Sequence, residues 1–339
     1  MTFSNLDYFA PMCPQSPHVS LKSSFAGFAL ASVLFLLNLL SSAQAQQATI
    51  NGFVVEETSI PITHIVRAAP AKDSIASLDQ PTFVNASEVD WLADDDEVIS
   101  VTVGFETRAY PLRILVWHEV VNDVFGEEPL AVTYSALSGS AVVFKPGVNS
   151  DGSPRSFGVS GLLYNSCLLM YDRENEELWS QLRMQGVSGS VRDKPLEMRP
   201  ASRLSWGAWK SKNIVGQVLS TETGQGIDYA DEWPYGDYAE RADTIFPFDI
   251  NRNELQTKER VIGVVEGEWA RCWPLEKLKE KKQLYDAIGE RAIRVQYDEN
   301  KDLIKISDIS TGDELATVSV FWFAWQAFYA DTSIWTPLN

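Results

Sequence analysis

Nearly the same fifteen residues occur twice in this chain, and no other feature restricts the possible folds as much. "VISVTVGFETRAYPL" fills positions 98–112 and "VIGVVEGEWARCWPL" fills 261–275, aligned without a gap at an offset of 163. Seven of the fifteen positions are identical, among them Gly104/Gly267, Arg108/Arg271 and Pro111/Pro274. Chance gives about one at ordinary residue frequencies. The same offset continues through Leu115/Leu278, Asp123/Asp286, Gly126/Gly289 and Tyr134/Tyr297. Such a match reads as an internal duplication, so the chain must bury two related units.

Each copy opens with alternating apolar residues, a glycine and a second short alternating run. That is the pattern of a β-hairpin turning at Gly104 and Gly267. Pro111 and Pro274 follow where a helix can begin, since proline's missing N–H is no loss in a first turn. "LRILVWHEVVNDVFG" predicts a helix from Leu112 closed by Gly126. Its apolar residues cover most of the circumference and leave His118, Glu119, Asn122 and Asp123 on the remaining side. On such a helix His118 and Asn122 share a face, being four residues apart. A strand is expected next, over 130–134 and again over 293–297.

"SWGAW" at 205–209 resembles "FWFAW" at 321–325, but at an offset of 116 rather than 163. The first copy therefore carries about 47 extra residues between Tyr134 and Trp206. This insertion is expected to hold "YSALSGSAVVF", "FGVSGLLYNSCLLMYDR" and "LWSQL". A feature present in one copy only is a better place to look for function than one the fold needs twice. Together the patterns predict an α+β, β-rich fold of internally duplicated hairpin–helix–strand halves, packed as one globular unit. The expected boundaries are an N-terminal arm or capping segment at 46–92, a first half at 93–220 with the insertion, a linker excursion at 221–258, and a second half at 259–335.

Residues 1–45 have the build of a signal peptide. Lys22 precedes an apolar run over 25–40, and "AQA" at 43–45 offers a cleavage site before Gln46. The run is shorter than the about 20 residues of a spanning helix. An exported protein is expected, periplasmic or extracellular, with no stable membrane insertion after leader removal. The chain has 46 acidic and 28 basic residues, a net charge of −18, which disfavours nucleic acid as a partner. Cys13 lies in the leader. Cys167 and Cys272 remain, too few for a disulfide framework, and their pairing is left open.

Catalytic motifs are sparse. "GVSG" occurs at 158–161 and at 186–189, but neither is the Gly-x-Ser-x-Gly elbow of a serine hydrolase. "HEVVN" at 118–122 begins like a zinc-protease helix, yet Asn122, a poor zinc ligand, stands where the second histidine belongs. There is no phosphate-cradling glycine loop, no Cys-x-x-Cys and no histidine cluster, so no cofactor is implied and no metal ligand is assigned. Trp206, Trp209, Trp322 and Trp325 recur at matching places, which marks them as core.

Six stretches occur in order along the chain: "DSIASLDQPTFV", "RAYPLRILVWHEVVND", "VTYSALSGSAVVF", "FGVSGLLYNSCLLMYDR", "LWSQL" and "FWFAWQAFYADT". Together they resemble a family of exported bacterial and archaeal proteins, domain of unknown function 3179. The resemblance implies no settled activity. It does imply a departure: many relatives carry Cys-x-x-Cys where this chain has Ser135 and Ser138, and Asp where it has Cys167. Thiols there would hold a metal or exchange disulfides. Serine hydroxyls do neither well, so a thiol-based site would be lost or altered here. Gly139, Ser140, His118, Tyr134, Tyr164, Asn165 and Ser166 match the family pattern.

The candidate ligand-binding residues are therefore His118, Asn122, Tyr134, Ser135, Ser138, Ser140, Tyr164, Asn165 and Cys167. They are expected to form a shallow polar pocket between the predicted helix and the 135–140 loop, with Tyr164 and Cys167 beside it. The expected function is a ligand-binding or otherwise non-catalytic module. The alternatives are a redox or metal-dependent enzyme using the same pocket, and an interaction scaffold without a small-molecule site. The sequence names neither the small molecule nor the protein that would be the partner.

Overall fold

The computed structural model describes residues 48–230, 233–249 and 252–337. The expected signal peptide lies outside them. No helix among the described residues is long and apolar enough to cross a membrane. The fold is α+β and rich in strands.

The N-terminal arm supplies β1 (Thr49–Ile50), β2 (Phe53–Val54), β3 (Ile65–Arg67) and β4 (Phe83–Asn85). The first half runs β5 (Glu97–Val103), β6 (Glu106–Pro111), α1 (Leu112–His118), β7 (Val120–Phe125), β8 (Glu128–Ser135) and β9 (Ser140–Phe144). Next come β10 (Phe157–Tyr164), β11 (Cys167–Asp172), β12 (Leu178–Ser180), β13 (Gln185–Gly186) and β14 (Met198–Arg199). β15 (Ser202–Ser205), α2 (Trp206–Lys212) and β16 (Gln217–Leu219) complete this half. The second half runs β17 (Arg260–Glu266), β18 (Trp269–Pro274), α3 (Leu275–Lys281), β19 (Gln283–Ile288), β20 (Arg291–Asp298) and β21 (Leu303–Asp308). It ends with β22 (Val318–Phe321), α4 (Trp322–Phe328) and β23 (Ser333–Ile334).

The two halves share element order, bounds and register. From β5 to β9 and from β17 to β21 every element starts at the offset of 163 seen in the sequence. Val98 pairs with Pro111 as Val261 pairs with Pro274, and Ser135 with Ser140 as Asp298 with Leu303. β15, α2 and β16 correspond to β22, α4 and β23 at the offset of 116. This places the extra residues later than the sequence pattern suggests. β9 has a counterpart in β21, so "YSALSGSAVVF" belongs to the common unit, and the part present once lies beyond Phe144.

The first helix is half the expected length. It ends at His118 because Glu119 turns to φ 58, with its N–H still bonded to Leu115 O at 2.7 Å. Val120 and Val121 then enter a strand, the conformation β-branched residues favour. Each half is thus hairpin–helix–hairpin, and Gly126, at φ 66, turns the second hairpin rather than capping a helix. Asn122 sits on β7 and does not share a helix face with His118. Lys282, at φ 61, ends α3 in the same way.

One sheet, in the order β23-β18-β17-β22-β9-β8-β7 with β14 added to β9, runs through both halves. They meet where Ser319 of β22 pairs with Ala141 of β9. A second sheet, β13-β12-β11-β10-β3, contains the residues present once. β9, β10 and β11 are buried along their whole length, as strands covered on both faces are. Val142, Phe144, Phe157, Met170, Trp179 and Trp322 meet in the core between them. The arm pairs β3 with β10 and β4 with β16, and Leu78 pairs in parallel with Val121. The described part of the linker has neither helix nor strand, yet it buries Tyr229 and Tyr238.

Candidate functional site

Ser135, Ser138, Ser140 and Cys167 come together between the two sheets, each at most 1 % exposed. β8 and β9 bring the serines and the start of β11 brings the cysteine. Hydroxyls buried here need partners, since an unpaired one costs about 1–3 kcal/mol, and each has one. Ser138 Oγ lies 2.7 Å from Ser140 Oγ. Ser140 Oγ donates to Gln181 Oε1 at 2.5 Å, and the Cys167 thiol lies 3.2 Å from the same oxygen. Gln181 in turn donates to Thr133 Oγ1 at 2.8 Å. Leu168 N–H donates to Ser135 Oγ at 3.3 Å. Burial, only partly opposed by the hydroxyls of Ser138 and Ser140, pushes the Cys167 thiol up to about 11. It stays protonated at neutral pH and is neither a nucleophile nor a ready metal ligand. Cys167 and Cys272 are both free thiols.

The other predicted residues fall into separate networks. His118 is 1 % exposed and has both ring nitrogens engaged. Nδ1 lies 2.6 Å from Ala76 O and Nε2 2.5 Å from Tyr229 Oη. A carbonyl can only accept, so Nδ1 carries the proton and Nε2 accepts from the Tyr229 hydroxyl. Burial lowers the His118 pKa, with the Ala76 carbonyl working against it, so the ring is neutral. Among the described residues no hydrogen bond joins His118 to the 135–140 loop. Asn122 braces the arm, donating to Asp79 Oδ1 at 2.7 Å and to Phe157 O at 2.8 Å. Asn165 and Ser166, at φ 49 and φ 59, form the two-residue turn between β10 and β11, where a primed turn requires positive φ. Asn165 Nδ2 donates to Ala327 O at 3.2 Å, and Tyr164 packs edge-on against Phe328.

Tyr134 faces a cavity. That cavity, about 220 Å³, lies between the start of α1 and the β8–β9 loop. Its walls include Leu112, Arg113, Tyr134, Ala136, Trp233 and Tyr235. Its floor is a group of charges that sequence reasoning missed. Arg203 Nη2 and Arg260 Nη1 donate to the two oxygens of Glu97 at 2.5 and 2.6 Å, and Arg203 Nη1 donates to Gly139 O at 3.0 Å. Burial alone would raise the Glu97 carboxyl, but the two guanidinium charges and their hydrogen bonds outweigh it and hold it at about 2. One carboxylate thus serves two partly buried cations. The β8–β9 loop is fixed at every peptide carbonyl facing this region, since Phe321 N–H donates to Ser138 O and Tyr238 Oη–H to Leu137 O.

Glu119 stands behind the same wall. It is 6 % exposed and has no hydrogen-bond or ion-pair partner among the described residues. Burial pushes its carboxyl up to about 7. Its charge acts on the phenol of Tyr235, which burial also raises.

The profile of a family described as "Protein of unknown function (DUF3179)" matches residues 72–332. No curated protein and no solved structure matches the chain. The chain belongs to that family, and what it does must be argued from the cavity and the groups around it.

Proposed function

We propose that this is an exported ligand-binding protein without catalytic activity, whose site is the cavity between α1 and the β8–β9 loop. One observation carries the reading: a concave space of about 220 Å³ with Tyr134 and Ala136 on one side and the half-buried Arg203–Glu97–Arg260 group beneath. A preformed cavity with a few convergent polar groups is how small-molecule sites are built. Its size suits a small metabolite.

The thiol-dependent alternative draws little support. Where the resemblance implies thiols, Ser135 Oγ accepts from Leu168 N–H and Ser138 Oγ bonds Ser140 Oγ, and Cys167 is buried and protonated. Among the described residues no three His, Cys, Asp or Glu side chains are grouped to hold a metal.

The test is an inventory of metals and small molecules released from protein purified from its native compartment. An organic molecule and no stoichiometric zinc or copper is the expected result. Stoichiometric metal would move the assignment to the redox or metal-dependent reading. N-terminal sequencing of the same material checks export: the chain is expected to begin near Gln46, and retention of residues 25–40 would mean an anchored protein.

A further inference from the structure

We propose that the cavity between α1 and the β8–β9 loop takes a small monoanionic organic carboxylate with a short apolar or aromatic body. The inference deepens the proposed function and rests on it.

The acids at the cavity are already engaged. Asp96 accepts from Arg113 Nε at 2.7 Å and from Ala93 N–H at 2.8 Å. Both oxygens of Glu97 are held by Arg203 and Arg260. Asp95 is exposed at the rim, where water screens it. Three guanidinium groups therefore gather at the cavity, and the two carboxylates they meet there, Asp96 and Glu97, are already engaged.

Apart from Asp95, the lining groups left without an assigned partner are donors. Arg203 lies against the Tyr134 hydroxyl oxygen, so the Tyr134 hydroxyl proton has no acceptor among the described residues. The same holds for the Tyr235 hydroxyl, the Trp233 indole N–H and the terminal nitrogens of Arg113. Tyr134 is only 4 % exposed and lines the cavity. A carboxylate supplies two acceptor oxygens, and bidentate contact with a guanidinium is its strongest common recognition mode. Leu112, Ala136 and Phe321 form the apolar part of the wall and would cover the body of the ligand. A cationic ligand would meet guanidinium groups at the floor, and the free carboxyls nearby are Asp95 at the rim and Glu119 behind the wall.

The test uses the purified mature chain and three probes of one shape: benzoate, benzamide and benzylammonium. Thermal shift and titration calorimetry measure binding to wild type and to a Tyr134→Phe/Tyr235→Phe variant, whose circular dichroism and own melting point establish folding. Benzoate is expected to raise the melting temperature, benzamide less, benzylammonium not at all. The double variant is expected to bind benzoate about tenfold or more weakly, the loss typical of a hydrogen bond to a charged group. Equal or tighter binding of benzamide or benzylammonium would overturn the carboxylate assignment and leave the ligand-binding function standing. Unchanged benzoate affinity in a folded double variant would do the same. If neither these probes nor a wider set of neutral and cationic fragments binds, the proposed function itself fails.

Discussion

Glu119→Gln should stabilise this protein, increasingly as pH rises above 4.5 and fully only above about 7. The carboxyl is buried at the end of α1 without a partner among the described residues, and burial raises its pKa from 4.5 to about 7. A carboxyl whose folded pKa lies above its unfolded one holds its proton in the folded chain after the unfolded chain has released it. Stability is therefore full below pH 4.5, falls as pH rises from 4.5 through 7, and levels off above. At about 1.4 kcal/mol for each tenfold change in proton affinity, the full loss is about 3 kcal/mol. Glutamine is a neutral isostere and cannot titrate, so the variant escapes that loss. Urea unfolding of both proteins at pH 4 and pH 8 measures it. The variant should match wild type, or fall slightly below it, at pH 4, and exceed it by about 3 kcal/mol at pH 8 relative to that baseline. Other titrating groups are common to both proteins and cancel. A difference that stays the same at both pH values, within about 0.5 kcal/mol, would refute the claim that Glu119 is buried as a destabilised carboxylate.

Other perturbations check separate parts of the site. Gly139→Ala should cost about 2–4 kcal/mol, because Gly139 sits at φ +64 and a Cβ would lie 2.7 Å from Phe321; Gly104→Ala, at φ +60 with open space around it, should cost only about 1 kcal/mol in the same denaturation assay. His118→Ala should cost about 2–4 kcal/mol at pH 7.5, by loss of two buried hydrogen bonds. The depressed His118 pKa means its contribution is present above about pH 6.5 and lost as pH falls further, so the penalty should shrink at pH 5; a pH-independent penalty would contradict the neutral, doubly bonded ring. Ser135→Cys/Ser138→Cys should gain zinc binding that wild type lacks, measured by metal analysis after zinc exposure and desalting, since two new thiols would then flank Cys167.

Much of the fold was legible because local chemistry marks it. Gly104 and Gly267 take φ 60 and φ 58 at hairpin tips, and Pro111 and Pro274 precede helices whose first turns need no N–H from them. The helix end was not legible. Residues 119–125 are apolar enough to continue a helix or to form a buried strand, and short apolar runs do not distinguish the two. The residue that ends α1 is Glu119, which carries no cap signal of the kind glycine gives. The serine group could be assembled only through family resemblance, because no local spacing ties Ser140 to Cys167 and Gln181. The charged floor of the cavity escaped because Glu97, Arg203 and Arg260 are remote in sequence. A signal for it did exist: the offset of 163 superimposes Glu97 on Arg260, opposite charges at one structural position.

That superposition shows how the two halves separate what holds the fold from what it serves. Where both halves need the same support they keep it. Arg108 pairs with Asp123 at 2.7 Å and Arg271 with Asp286 at 2.7 Å, and Tyr110 and Trp273 donate to those same carboxylates. Where the halves differ, the differences converge. Glu97 and Arg260 diverge into partners for each other. The residue ending the helix is a buried carboxyl at Glu119 and an exposed amine at Lys282. The hairpin turn after β8 is buried and bonded through its carbonyls, while its counterpart after β20 is largely exposed. Two of the departures work against stability, the buried carboxyl of Glu119 without a partner and the two guanidinium groups that share the one carboxylate of Glu97. The departures gather around the cavity proposed above as the site, whereas random drift would scatter them over the surface, where substitutions are nearly neutral.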